Sequence, residues 1–255
     1  MPFLKDKLKT FHNFATASLQ ELYTENKIND SMQLEANTLA TGLFINTSSK
    51  GKPKFSFKPL PLLAQASPSF GITIADMNFD SNLDIFLAQN FYNPQIETRP
   101  MDNALSILLT GDGNGNFEAM SSELSGIVLP GDSKGTSWGD LDNDGQPELI
   151  VTTNDGPINS FSFNSRAKAN PQVQVTLKGG KNNPSAVGAI VRIQINKTTQ
   201  LTRIITAGSG YLSQEPQSML FPAQIRGKKA TITWPDGNVT STLIPTGKTN
   251  PVILR

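Results

Sequence analysis

The chain of 255 residues has no cysteine and a single histidine, His12. The first absence excludes disulfides, thiol nucleophiles and zinc–thiolate sites. The second excludes paired-histidine metal sites, and it leaves no histidine for Ser-His-Asp chemistry beyond position 12. Long apolar runs are also missing. No stretch approaches the ~20 residues of a membrane span. Lys5, Lys7 and Lys9 interrupt the N-terminus, so it lacks the ~7–15-residue apolar run of a secretory signal. The net charge is only +1, and no basic stripe is interleaved with aromatics, so neither nucleic acid nor a membrane is an expected partner. Hydrophobic content, at 37%, is low, but 20 glycines bring it close to the usual ~45–50% for apolar residues with glycine, and a folded chain is expected.

Residues 11 to 24 carry Phe11, Phe14, Ala15, Leu19, Leu22 and Tyr23 at three- and four-residue spacing, which predicts one short amphipathic helix packed on the protein. From about residue 36 the pattern changes to short strands and turns. An internal repeat organises this part. Asp76-Met-Asn78-Phe-Asp80-Ser-Asn82-Leu-Asp84-Ile-Phe-Leu-Ala-Gln-Asn90 aligns without a gap on Asp140-Leu-Asp142-Asn-Asp144-Gly-Gln146-Pro-Glu148-Leu-Ile-Val-Thr-Thr-Asn154, an offset of 64 residues. Gly71-Ile-Thr-Ile-Ala falls on Gly135-Thr-Ser-Trp-Gly at the same offset. Further upstream, Gly42 to Asn46 falls near Ser106 to Thr110. Each unit therefore reads strand, turn, strand, loop, strand, acidic loop, apolar strand. That is the four-strand content of a propeller blade. A third unit begins at Ile158 to Phe163 and stops. Propellers need 4–8 blades, so about two blades point either to the C-terminal part of a longer protein, the favoured reading, or to an open array completed by another chain.

The acidic loops are the candidate sites. Asp140, Asp142, Asp144, Gln146 and Glu148 alternate, with Gly145 at the sixth position. Unneutralised carboxylates ~4 Å apart would repel by about 4 kcal/mol near a protein surface. Oxygen ligands at positions 1, 3, 5, 7 and 9 suit a calcium ion. An EF-hand is excluded, because position 12 is Val151 rather than Glu and strands flank the loop. The first loop offers Asp76, Asn78, Asp80, Asn82 and Asp84, with weaker ligands and Ser81 in place of the glycine, at a cost of roughly 1–2 kcal/mol for a left-handed backbone. It is expected to bind calcium more weakly or only to hold a turn. Asp112, Asn114 and Asn116 also alternate but sit in a glycine-rich hairpin turn. Trp138 reads as core.

Ala167 to Pro171 reads as a linker. Beyond it come six strand-like runs, at 173–177, 189–195, 201–206, 218–221, 230–234 and 239–244, and the hairpin turn Asp236-Gly237. Their spacing predicts a small β-sandwich. Gly208-Ser-Gly210-Tyr211 reads as a tight β-turn, since the lysine and helix of a phosphate loop are missing. Arg192, Arg203, Gln214 and Trp234 are either a ligand groove or cross-strand pairs around a core tryptophan.

The loop Asp140 to Glu148, entered from Gly135-Thr-Ser-Trp-Gly and left through Leu149-Ile-Val, resembles the FG-GAP/VCBS repeat. The C-terminal part resembles the ASPIC/UnbV domain through Asn183-Pro-Ser-Ala-Val-Gly188-Ala189-Ile-Val-Arg192, Gln200, Gly208-Ser-Gly210-Tyr211-Leu-Ser213-Gln214 and Trp234-Pro235-Asp236-Gly237. Phe221-Pro-Ala-Gln224 departs from that family's Phe-Gly-Leu-Gly-like turn. The resemblance covers about residues 36 to 250 and implies calcium-binding propeller blades followed by an ASPIC/UnbV-type domain. Taken with the spacing of the apolar residues, the expected chain is all-β: a helical segment over residues 1–35, a partial β-propeller of about two four-stranded blades over 36–166, and an ASPIC/UnbV-type β-sandwich over 172–255. It implies a location outside the cell, at its surface or in a periplasm. The expected role is a non-enzymatic binding or scaffold module for a protein or glycan, with the remaining blades as partners if the chain is a fragment. A carbohydrate-active hydrolase or lyase and a purely structural assembly module are the alternatives.

Overall fold

The computed structural model describes residues 2–142, 144–163, 172–247 and 250–255. The linker expected at Ala167 to Pro171 lies outside them. Residues 1–39 and 40–255 form two compact units.

The first unit is helical, but not one helix. It comprises α1 (Pro2–Lys7), α2 (Phe11–Thr16), α3 (Leu19–Leu22) and α4 (Glu25–Asn29). The expected helix over 11 to 24 is broken at Ala17-Ser18 because Ser18 starts a new one. Its hydroxyl accepts from Glu21 N at 3.3 Å, and its own N–H donates to the Glu21 carboxylate at 2.6 Å. This capping box satisfies N-terminal N–H groups that a continuous helix would have bonded internally. Phe11 is 95% exposed and Leu19 is also exposed, so the stripe forms no buried face.

The second unit is built from strands. β1 (Gly42–Asn46) pairs with β2 (Phe55–Pro59) alone. β3 (Ser69–Ala75), β4 (Asp84–Gln89), β5 (Ile107–Gly111) and β6 (Phe117–Ala119) form an antiparallel meander, the content of one blade. β7 (Ser133–Gly139), β8 (Glu148–Thr153) and β9 (Asn159–Ser162) form a third sheet. The sheets are therefore out of phase with the sequence repeat by two strands. Each sequence unit contributes its first hairpin to one sheet and its second to the next. The reason is β4, whose six residues are all buried. It needs a partner on each edge and apolar cover on both faces, and β5 supplies the second edge. The small antiparallel sheets fit the expected partial propeller, and the strands of about two four-stranded blades are distributed as one four-stranded sheet between a two-stranded and a three-stranded one.

The repeat holds at the level of register. β3 to β4 slips between Ser69 and Ile72, and β7 to β8 slips between Ser133 and Thr136, again 64 residues on. Alternation along β4 sends Phe86 and Ala88 to the core shared with Trp138, Leu149 and Val151, and Ile85 and Leu87 to the core shared with Leu60 and Leu43.

The C-terminal part is a sandwich. One sheet runs β13 (Met219–Pro222), β10 (Gln172–Lys178), β16 (Val252–Leu254); the other runs β12 (Gln200–Ile204), β11 (Ile190–Gln194), β14 (Lys229–Thr233), β15 (Val239–Leu243). Between them lie Val173, Val175, Val191, Ile193, Phe221, Ile232 and Trp234. The short β16, absent from the sequence reading, pairs parallel with β10 across more than 70 residues, a contact with no local signature.

β3 and β7, which belong to different sheets, approach closely. A Cβ on Gly71 would lie 2.2 Å from the Lys134 carbonyl oxygen. Gly71→Val should therefore destabilise the chain by about 2–3 kcal/mol in urea unfolding. Gly247→Ala, where an added Cβ meets nothing within 4 Å, should stay within about 0.5 kcal/mol.

Candidate functional site

Both acidic loops join the edge strand of a sheet to its inner neighbour, β3 to β4 and β7 to β8, and they share a backbone course. Ser81 and Gly145 occupy the same position, at φ 77° and 87°. The N–H of Ser81 donates to Asp76 Oδ2 at 2.9 Å, and that of Gly145 to Asp140 Oδ2 at 3.0 Å. Asp80 N donates to Asn78 Oδ1 and Asp144 N to Asp142 Oδ1; Asn82 N donates to Asp80 Oδ1 and Gln146 N to Asp144 Oδ1. Serine thus accepts the left-handed conformation that glycine takes freely.

The loops differ in what they leave open. In the first, Asp84 Oδ2 accepts from Met77 N and Asn78 N, and its Oδ1 accepts from Gly111 N at 3.0 Å. Asp76 Oδ1 takes Asp80 N, and Asn78 Nδ2 donates to Asp80 Oδ2. Every carboxylate oxygen of Asp76, Asp80 and Asp84 already accepts a bond from the protein. This loop is closed on itself, and Ser81 Oγ is also bonded by Gln224 of the sandwich, at 3.3 Å.

In the second loop Asp140, Asp142 and Glu148 each aim a carboxylate oxygen at a common point, with those atoms within 4.8 Å of one another. Among the described residues, Glu148 Oε2 accepts from Leu141 N alone, at 3.0 Å. Asp140 Oδ1 and Gln146 Oε1 are buried without a partner among the described residues. Gln146 is oriented by its own amide, since Nε2 donates to Asp144 Oδ2 and leaves Oε1 unspent. Asp144 spends both oxygens on Gln146 and does not join the converging set. A buried acceptor without a donor costs about 1–3 kcal/mol, and a cation removes that cost for several oxygens together. Burial, and then the charges of Asp142, Asp140 and Asp144, raise the Glu148 pKa. The donor set is all oxygen, as a hard divalent cation requires.

The remaining candidates have structural partners. Asp112 accepts from the N–H groups of Asn114 and Asn116 and from Asn116 Nδ2, closing the β5–β6 turn. Trp138 is buried in the core. Arg192 donates to Thr233 Oγ1, Arg203 lies 5.6 Å from the Phe221 ring, and Trp234 Nε1 donates to Thr240. Arg203 and Trp234 line different cavities, so the four residues do not form one groove.

A residue with no sequence signal, Glu215, joins the sandwich to the sheets. Its carboxylate accepts from Trp138 N at 2.7 Å and lies 3.2 Å from Thr73 Oγ1. It shares a cavity of about 160 Å³ with Asp76, Arg203 and Ser218. Nothing in its spacing connects it to residues 73 or 138.

Asp76 titrates at about 6, pushed up from 3.8 mainly by burial, with backbone bonds from Ser81 and Asp80 opposing. A raised folded-state value favours the protonated form. This group therefore subtracts nothing below pH 3.8 and its full cost is present above about 6. In calcium-free buffer, Asp76→Asn should remove that loss of thermal stability across the interval. An unchanged pH slope would contradict the assignment.

Residues 179–250 match the family described as ASPIC and UnbV. The chain is similar to "Cartilage acidic protein 1" of Homo sapiens, with 26% identity over 83% of this chain and 32% of that protein. The Mus musculus protein of that name is 25% identical over the same shares, and the Xenopus tropicalis protein is 26% identical. The chain spans about a third of the length of these relatives.

Proposed function

We propose that this chain is a calcium-stabilised, non-enzymatic binding or scaffold module of a larger exported protein. The observation that carries the reading is the convergence of Asp140, Asp142 and Glu148 beside two buried oxygens that lack donors. Calcium supplies charge neutralisation there and ties the β7–β8 hairpin at its tip. Asp140, Asp142, Gln146 and Glu148 are the residues that hold it, with Asp144 as their orienting neighbour. The first loop does the same work with backbone N–H groups.

The register of the repeat supports FG-GAP/VCBS-type blades, continued by further blades in the whole protein. The match to ASPIC and UnbV and the similarity to a protein named for cartilage support a place outside the cell. No helix among the described residues is long and apolar enough to cross a membrane. A protein or a glycan is the proposed ligand, met by loops rather than by the acidic hairpins. The non-catalytic reading is supported by the buried acids Asp76 and Glu215, whose oxygens are taken by bonds from the chain itself.

Calcium at 100 times its Kd should stabilise the fold by about 2.7 kcal/mol, a rise of several degrees in Tm. Asp142→Ala should abolish the rise, and Asp80→Ala should keep most of it. No response to millimolar calcium would sink the metal reading. Because the Glu148 carboxyl must lose its proton to ligate, and its pKa is raised, the calcium-dependent rise should shrink as pH falls from neutrality. Calorimetric titration across pH checks this.

A further inference from the structure

The repeat makes it possible to ask what each strand faces at equivalent positions. On β3, residues 71, 73 and 75 are buried and residues 72 and 74 are exposed. The buried set meets β7. Gly71 admits the Lys134 carbonyl, and Thr73 Oγ1 lies 2.8 Å from Thr136 Oγ1. Their equivalents on β7 are Gly135, Ser137 and Gly139, and these meet a single loop of the sandwich, Gly208 to Pro216. A Cβ on Gly135 would lie 3.3 Å from the Tyr211 carbonyl and one on Gly139 would lie 2.5 Å from Pro216 Cγ. Ser137 Oγ donates to the Gln214 carbonyl at 3.3 Å. The loop thus stands on β7 where β7 stands on β3.

The opposite face of the stack is bare. Thr136 and Trp138 of β7 are buried against β3, whereas their equivalents Ile72 and Ile74 are 46% and 57% exposed. The β1–β2 hairpin covers Ile85 and Leu87 next to them and stops short. One chain therefore carries both halves of a head-to-tail contact, one exposed and one occupied. A heterologous contact of that kind does not close by itself, and repeat arrays require a cap.

We propose that the Gly208–Pro216 loop is that cap. It occupies the next repeat's position on β7 and prevents the Ile72/Ile74 face of a second copy from stacking there. Glu215 pins it, by accepting from Trp138 N at 2.7 Å and by its contact with Thr73. Ser209, whose Oγ accepts from Glu215 N at 2.7 Å, ties its two ends together, and Tyr211, 5.2 Å from the Phe70 ring, holds its middle. The inference is independent of calcium.

The absence of cysteine allows a direct test. In the full chain, Gly139→Cys with Pro216→Cys should oxidise to a disulfide, since the two Cβ positions lie 3.6 Å apart and disulfides need about 3.5–4.5 Å. The locked chain should stay monomeric by light scattering. Adding Glu215→Lys to the reduced pair should lower the rate of bridging, and the apparent mass should grow with concentration, roughly twofold or more as contacts propagate. Ile72→Lys with Ile74→Lys should return it to monomer. If Glu215→Lys does not fold, Ser209→Ala with Tyr211→Ala loosens the same loop without placing a charge in its socket. Failure of the parent pair to bridge, a released loop on a chain that stays monomeric, or association that survives the Ile72 and Ile74 changes would each overturn the cap.

Discussion

At the centre of the second unit, two backbones approach so closely that no side chain fits between them. Gly71 receives the Lys134 carbonyl, and Gly135 receives the carbonyls of Tyr211 and Leu212. Everything around these contacts follows from their spacing. With β3 and β7 this close, Phe86, Trp138, Leu149 and Val151 interdigitate into one core. The polar ends close the same junction. Lys134 lies over the Phe70 ring, pairs with Asp132 and donates to the Asn90 carbonyl. Asn90, fully buried, in turn donates to the carbonyls of Ala104, Pro130 and Gly131. Removing any of these partners would leave a buried polar group unsatisfied, which is the costly outcome in a low-dielectric interior.

The two acidic loops show how small sequence differences divide one backbone between two uses. Asp84 is one methylene shorter than Glu148 at the same position. It lies against Met77 N, Asn78 N and Gly111 N and spends both oxygens on them. Among the described residues Glu148 Oε2 accepts from Leu141 N alone, and its carboxylate joins Asp140 and Asp142. The first loop also touches the sandwich through Ser81 and Gln224. Its departures from an all-acid pattern belong with a packed joint, and the acidity of the second belongs with an open, charge-rich tip. The Phe221-Pro-Ala-Gln224 turn, an oddity as sequence, contributes Gln224 to that joint.

The offset of 64 residues was legible in the sequence, and with it the alternating strands, the positions of both acidic loops and the left-handed residue at Ser81 and Gly145. These are properties of short segments, governed by side-chain period and turn chemistry. So were all six C-terminal strands that alternate or carry a turn signal. The division of the N-terminal segment into several helices was less visible, because a capping box at Ser18 competes with an apolar stripe that runs through it.

Tertiary structure alone decided how the strands are shared among sheets, since hairpin signals say which neighbours connect and nothing about which edge the next hairpin joins. It decided that one acidic loop is saturated by donors from the chain itself and the other is not, because the third donor to Asp84 is the Gly111 N–H, across the sheet. It also decided the role of Glu215, whose partners lie 77 and 142 residues away and leave no trace in local pattern. The sequence by itself determined the repeating unit and where its charged turns fall, through local periodicity. Which carboxylates remain free to bind, and which surface of the stack is covered, depend on groups brought together from distant parts of the chain.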